Sequence, residues 1–173
     1  MGSQVLEAIY KRRSIRDFTD RQVAVDDLRE IVRAGTWAPS GLNNQPWRFV
    51  IICDRSTRLA LAEQTRYSHI IRSAPALIAV FLDTDAMYNE VKDHQAAGAC
   101  IQNMLLATEA LGLGAVWLGE ILNRKEQVNR VLGLSEQFDL MAVLATGYPA
   151  GHDQSSSRKE IHDVIIKEIM EDN

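Results

Sequence analysis

Cysteine is scarce in this chain: its 173 residues include only two, Cys53 and Cys100. They sit in apolar surroundings and form no CxxC pair, which excludes a disulfide framework and predicts two small buried hydrophobes. The four histidines, His69, His94, His152 and His162, lack ligand spacing, and there is no HExxH, so no protein-held metal is expected. Proline (4) and glycine (10) are few and scattered, which excludes a collagenous or low-complexity chain. No apolar run reaches the roughly 18 residues of a membrane span, and the first residues lack a signal-peptide stretch. Met1-Gly2 opens like a myristoylation motif, but Leu6 stands where that motif needs Ser or Thr. The predicted address is the cytoplasm. Acidic residues outnumber basic ones, 23 to 19, for a net charge of −4, so no global field draws nucleic acid. Neither nucleic acid nor a membrane is an expected partner.

What is present is an ordinary globular composition, 46% hydrophobic and 24% charged. A chain of this length can bury about 70% of its unfolded surface, enough for a core without disulfides. No repeat or linker divides it, so residues 1–173 are read as one domain. Periodicity and breakers predict a short helix over Ser3–Arg12 with Ser3 as cap, and a second over Asp26–Ala34 with Gly35 as its stop. A strand is predicted over Trp47–Ile52, a helix over Ser56–Thr65 and a buried strand over Ala76–Leu82. Asp93–Leu111 reads as a long helix, apolar except for the stripe Gln95, Gln102 and Glu109, with a small-residue cluster around Gly98. Gly114–Leu118 and Leu140–Thr146 complete four strands, with a helix over Arg124–Leu132 between them. In the tail, Ser157-x-x-Glu160 is a capping box ahead of Ile161, Ile165 and Ile169, yet Val164-Ile165-Ile166 suits a strand equally well. The fold class is α+β, or layered α/β.

Three segments carry candidate chemistry. Arg12-Arg13-Ser14-Ile15-Arg16 packs three guanidiniums and a hydroxyl into five residues, a dense anion receptor. Taken alone, it is more simply a solvated helix end, whose cations suit the C-terminal dipole. Pro39–Trp47 concentrates Ser40, Asn43, Asn44 and Gln45 between two prolines, more amides and hydroxyls than a turn requires, and Gly41 would let backbone approach a ligand. Gly112 to Glu120 sets glycines at both ends of a buried strand, which more often reflects packing than ligand contact.

Taken in order, these segments resemble the FMN-dependent nitroreductase family, particularly its short single-domain members. The matching stretches are KRRSIRDF, AGTWAPSGLNNQPWRFVII, SAPALIAVFLD, AAGACIQNMLLATEALGLGAVWLGEI and VLATGYPAGHDQSSSRKEI, spanning about residue 8 to about residue 165. The resemblance implies a central, mostly antiparallel sheet of four to five strands flanked by helices. It also implies a homodimer with FMN at the subunit interface and a C-terminal segment reaching the partner. Arg12, Arg13 and Ser14 would take the phosphate and ribityl end. Arg16 would sit by the pyrimidine edge, where a fixed cation offsets the negative charge gathered on reduction. Pro39, Ser40, Gly41 and Asn43 would reach the flavin of the other chain. Leu118, Gly119 and Glu120 would present backbone to the reactive edge, and Arg158 with Lys159 would close over the phosphate.

In activity, the resemblance implies that NAD(P)H reduces the flavin and that a nitroaromatic, quinone or similar small acceptor then takes the electrons, in a ping-pong cycle. Because the cofactor carries the chemistry, no side chain is nominated as a catalytic acid, base or nucleophile. No dinucleotide fingerprint distinguishes NADH from NADPH. Two rival readings are a non-catalytic FMN store or redox sensor, and a specialised member that dehalogenates or modifies flavin. Two departures from the family pattern stand out. Relatives often carry a flavin-contacting Asn ahead of the APxxI strand, whereas this chain has Thr65-Arg66-Tyr67-Ser68-His69, with Tyr67 and Ser68 as substitutes. The segment that builds a helical lid in relatives is reduced to about Asp83–Lys92.

Overall fold

A computed structural model of the chain describes residues 4–151 and 153–170; Ser3, expected to cap the first helix, and His152 lie outside the described residues. The elements run α1 (Gln4–Lys11), α2 (Val25–Thr36), β1 (Trp47–Ile52), α3 (Arg55–Ala62), α4 (Ser68–Ser73), β2 (Ala76–Asp83), α5 (Glu90–Ala110), β3 (Gly114–Leu118), α6 (Lys125–Leu132), β4 (Phe138–Gly147) and α7 (Ile161–Val164). Short 3₁₀ turns at Gly41–Asn43, Thr84–Ala86 and Glu120–Arg124 link them. Four strands form one antiparallel sheet in the order β1-β2-β4-β3, as the α+β reading expects.

Helices cover both faces of this sheet, so its central strands cannot alternate polar with apolar. All eight residues of β2 are buried. Leu77, Ala79 and Phe81 point to one side, where they meet Leu61, Ile70, Ile71 and Val128 of the α3, α4 and α6 layer. Ile78 and Val80 point to the other, against Leu28 and Ile31 of α2 and Cys100, Ile101 and Met104 of α5. Between β2 and β4, Val80 pairs with Ala142 and Phe81 with Leu140, leaving Met141 as a bulge.

Several expectations are corrected. Gly35 does not stop α2; it is buried inside it, and a Cβ there would fall 2.7 Å from Met104 Cγ and 3.0 Å from Cys100 Sγ. The glycine serves close helix–helix packing, with α5 lying across it. The start of α5 is not Asp93 but Glu90, because the Asn89 side chain caps the helix by accepting from the Lys92 N–H. Likewise Asp54 caps α3: it accepts from the Ser56 hydroxyl and from the N–H and hydroxyl of Thr57, which together hold its carboxyl down to about 2. Cys53 is exposed where the chain leaves β1, whereas Cys100 is buried as expected and burial pushes its thiol up to about 12. The capping box in the tail is not used as such; Glu160 stands at the N-cap of a single turn, without a side-chain cap. Ile161, Val164, Ile166, Ile169 and Met170 remain exposed around it.

Candidate functional site

The segment after α1 is held along the free edge of the sheet. Ser14 makes a parallel bridge to Ala115, and the Ile15 N–H donates to the Ala115 carbonyl at 3.0 Å. Gly114 permits this approach, since a Cβ there would lie 2.6 Å from Ile15 Cγ1. Further on, the Thr19 N–H donates to the Tyr148 carbonyl at 2.9 Å and the Ala150 N–H to the Asp17 carbonyl at 3.0 Å. These bonds bring the chain leaving β4 alongside the first motif. As a result Arg12, Arg13, Ser14 and Arg16 meet Gln154, Ser155, Ser156 and Arg158 around a cavity of about 300 Å³. Lys159, expected beside Arg158, is exposed and does not line it.

Four guanidiniums and no carboxylate line this cavity, an arrangement that repels itself until an anion enters. The arginines are not equivalent. Arg13 Nη1 donates to the carbonyls of Tyr10, Arg12 and Lys11 at 2.7, 2.9 and 3.1 Å, closing the C-terminal end of α1. The plainer reading of this arginine from sequence is therefore realised, yet its Nε is buried with no partner. Arg16 donates to the Ser14 carbonyl, and Arg158 to the Ser156 hydroxyl and the Ser157 carbonyl. Among the described residues the Arg12 guanidinium donates to no protein group and keeps its full fork for a ligand. Fixed guanidiniums, serine hydroxyls and one orphaned N–H suit the several oxygens of a phosphate.

The Pro39–Pro46 loop spends more of its polar groups on bonds within the protein than the sequence suggests. The Asn44 amide donates to the Ala86 carbonyl at 3.1 Å and to Asp93 Oδ1 at 2.8 Å. The Gln45 N–H donates to Ser40 Oγ at 3.2 Å. Gly41 is needed by Tyr88, whose hydroxyl lies 1.9 Å from where a Cβ would stand. Three non-glycine residues, Leu42, Asn43 and Gln45, take φ of 55°, 54° and 46°. Such conformations persist where surrounding structure imposes them, commonly at ligand sites. Leu42 is 86% exposed and nearby Trp37 82%, so the loop offers apolar surface outward, and among the described residues the exposed Asn43 side chain has no hydrogen-bond partner.

At the end of β3, Leu118 is buried and Gly119 exposed, with nothing within 4 Å of a Cβ position. Glu120 turns its carboxylate back to the 65–67 turn: Oε2 accepts from the Thr65 hydroxyl at 2.7 Å and from the Arg66 N–H at 3.0 Å. The Thr65 and Arg66 bonds, with the Arg66 charge, hold this carboxyl below its usual range against the cost of burial. In the region of the expected Asn, Tyr67 is exposed at the start of α4 and Ser68 is its first residue. The reduced lid segment is a 3₁₀ turn followed by the first turn of α5.

Within one chain the structure does not bring all the expected residues together. The Pro39–Asn43 loop feeds β1, at one edge of the sheet, while the arginine motif runs along β3, at the other. The sheet register adds a second offset: Trp47 lies in the row of Leu82 and Asp139, and Ala115 in the row of Thr146. Three strand spacings and seven residues separate them, about 14 Å across the sheet and about 23 Å along it.

A family model described as the nitroreductase family matches residues 9–66 and 56–148. A protein of Archaeoglobus fulgidus assigned as an NADH dehydrogenase/NAD(P)H nitroreductase is 35% identical over 150 residues, covering 84% of this chain and 86% of its own. The chain belongs to the nitroreductase family. Among solved structures, a Desulfovibrio desulfuricans protein assigned as a nitroreductase, in complex with FMN, is 51% identical with a TM-score of 0.94. The match covers 98% of this chain and 99% of that one. An NADPH:FMN oxidoreductase from Vibrio harveyi, solved with NAD⁺, is 25% identical with a TM-score of 0.86, over 98% of this chain and 79% of its own. The sheet order and flanking helices described above are thus those of the nitroreductase fold.

Proposed function

We propose that this nitroreductase-family protein is an FMN-dependent oxidoreductase that uses NAD(P)H to reduce nitroaromatics, quinones or similar small acceptors. The observation that carries the reading is the cavity where Arg12, Arg13, Arg16 and Arg158 converge with three serines and no acid. The orphaned Arg13 Nε and the uncommitted Arg12 fork fit the phosphate of FMN, and Ser14 fits its ribityl hydroxyls. Arg16 stands on the same motif as the cation for the pyrimidine edge. Leu118, Gly119 and Glu120 offer backbone at the open end of β3, and Lys159 is an outer cation behind Arg158. When bound, FMN supplies the redox chemistry, accepting hydride from NAD(P)H and passing electrons to the acceptor in a separate step.

The remaining contacts come from a second copy of the chain. Pro39, Ser40, Gly41 and Asn43 lie diagonally across the sheet from the arginines, so one protomer's loop completes its partner's cavity. Exposed Trp37 and Leu42, and the uncovered isoleucines of the tail, support a homodimer in which the C-terminal segment reaches the partner. No helix of the described residues is long and apolar enough to cross a membrane, and the reading places the enzyme in the cytoplasm.

The test is one experiment with two detectors. FMN-loaded protein on size exclusion with light scattering is expected to run as a dimer, and the same fraction to consume NADH or NADPH steadily when a quinone is added. A monomer with full FMN occupancy contradicts the shared site. A dimer that holds FMN without turnover instead supports the storage or sensor reading.

A further inference from the structure

The turn between α3 and α4 is tied to the end of β3 by a single side chain. Glu120 Oε2 takes the Thr65 hydroxyl and the Arg66 N–H, at 2.7 and 3.0 Å, and Oε1 faces Arg66 Nε at 3.4 Å. Thr65 Oγ1 in turn accepts from the Tyr67 N–H at 3.2 Å, which carries the tether into the start of α4. The Glu120 side chain is mostly covered, whereas that of Arg66 is largely exposed, so the acid is the fixed member and the turn is what it holds. Two segments more than fifty residues apart are fastened at the step after Gly119. The knot forms one wall of a cavity of about 560 Å³, completed by Glu63, Gln64, Asn123 and Arg124. A cavity of this size admits a small molecule, and the Arg66 and Arg124 guanidiniums on its wall match oxygen acceptors such as those of quinones and nitro groups.

We propose that Glu120 is a positioning residue: its carboxylate fastens the 65–67 turn to the end of β3 and thereby builds the wall that receives the electron acceptor. The proposal rests on the reading of the β3 end as the edge where the cofactor reacts. It assigns the Glu120 side chain a role separate from its backbone.

Two readouts test it. In the cofactor-free protein, Glu120→Ala is expected to speed tryptic cleavage after Arg66, because the backbone N–H and hydroxyl that hold the turn lose their acceptor; Glu120→Gln, which keeps an acceptor oxygen, restores most of the protection. In the FMN-loaded protein, Glu120→Ala is expected to raise KM for 1,4-benzoquinone about tenfold, with a smaller change in kcat, and Glu120→Gln to restore most of the KM. If Glu120→Ala does not fold, Thr65→Val removes one strand of the same knot and is expected to move KM in the same direction. FMN-loaded Glu120→Ala with unchanged KM, or with unchanged cleavage after Arg66, overturns the role of Glu120. A wild-type protein that takes up no FMN overturns the functional reading itself, and the cleavage comparison still reports on the knot.

Discussion

Replacing Arg12 by alanine is expected to weaken FMN binding about tenfold or more, the cost of roughly 1.5–3 kcal/mol for one charge-assisted phosphate contact. Unfolding stability should hardly change, because the Arg12 guanidinium donates to no protein group among the described residues. Arg13→Ala differs. It removes both a ligand donor and the group that closes α1, where Nη1 meets the carbonyls of Tyr10, Lys11 and Arg12. It should therefore lose FMN affinity and some stability together. Fluorescence titration of FMN, paired with urea unfolding of the cofactor-free variants, separates the two effects. Unchanged affinity in both variants would remove the phosphate from this cavity.

The second large effect is expected at Asp93, which is fully buried at the start of α5. Its carboxylate accepts from the Tyr88 and Asn89 N–H groups at 2.9 Å each and from the Asn44 amide at 2.8 Å. It thus joins the strained 39–46 loop, the segment carrying Tyr88 and the long helix at one point. Asp93→Ala takes the acceptor from the Tyr88 and Asn89 N–H groups and one of two acceptors from the Asn44 amide, and a loss of about 3 kcal/mol is expected. FMN affinity should fall too, since this loop is the one offered to the partner's cavity. Burial alone would favour the protonated acid, but the bonds from Asn89, Asn44 and Tyr88 outweigh it and hold the carboxyl below its ordinary value. The folded state therefore binds its proton at lower pH than the unfolded chain. The contribution is complete above about pH 4, the ordinary carboxylate value, and is lost as pH falls below it. Urea unfolding should show the gap between wild type and Asp93→Ala narrowing as the solution is acidified below that point. A gap that is constant with pH would mean the carboxylate is not what holds the loop.

The sequence made the strands legible because each is a short, bounded apolar run. Ala76–Leu82 sits between Pro75 and Asp83 and is buried on both faces, so its character depended little on distant partners. What it hid was pairing across long intervals. Nothing local marks Gly35 as the seat of Met104 and Cys100, Gly41 as the seat of Tyr88, or Asn44 as a ligand of Asp93; alone, each looks like punctuation or a ligand donor. The six-residue helix α4 was missed because Ser68–Ser73 is too short for a periodic signal and carries no side-chain cap. At the site, Arg12, Arg13, Ser14 and Arg16 were recoverable because they are adjacent in sequence. Arg158 came through the resemblance and meets them in space, while Lys159 does not line the same cavity. The part played by Glu120 had no local signature, because its partners Thr65 and Arg66 lie across the site. The tail was read as helix or strand and is a single turn with exposed isoleucines, since one chain alone provides no surface to pack them against.

The central claim is that the arginine cavity holds an FMN that exchanges electrons with a nicotinamide nucleotide. The most direct measurement is the visible absorption of the FMN-loaded protein under anaerobic conditions, before and after NADH, then NADPH, then a quinone. Flavin bands that bleach with one or both nucleotides and return with the quinone are the predicted result. Flavin bands that persist through both nucleotides, or a protein that stays colourless in excess FMN, would contradict it.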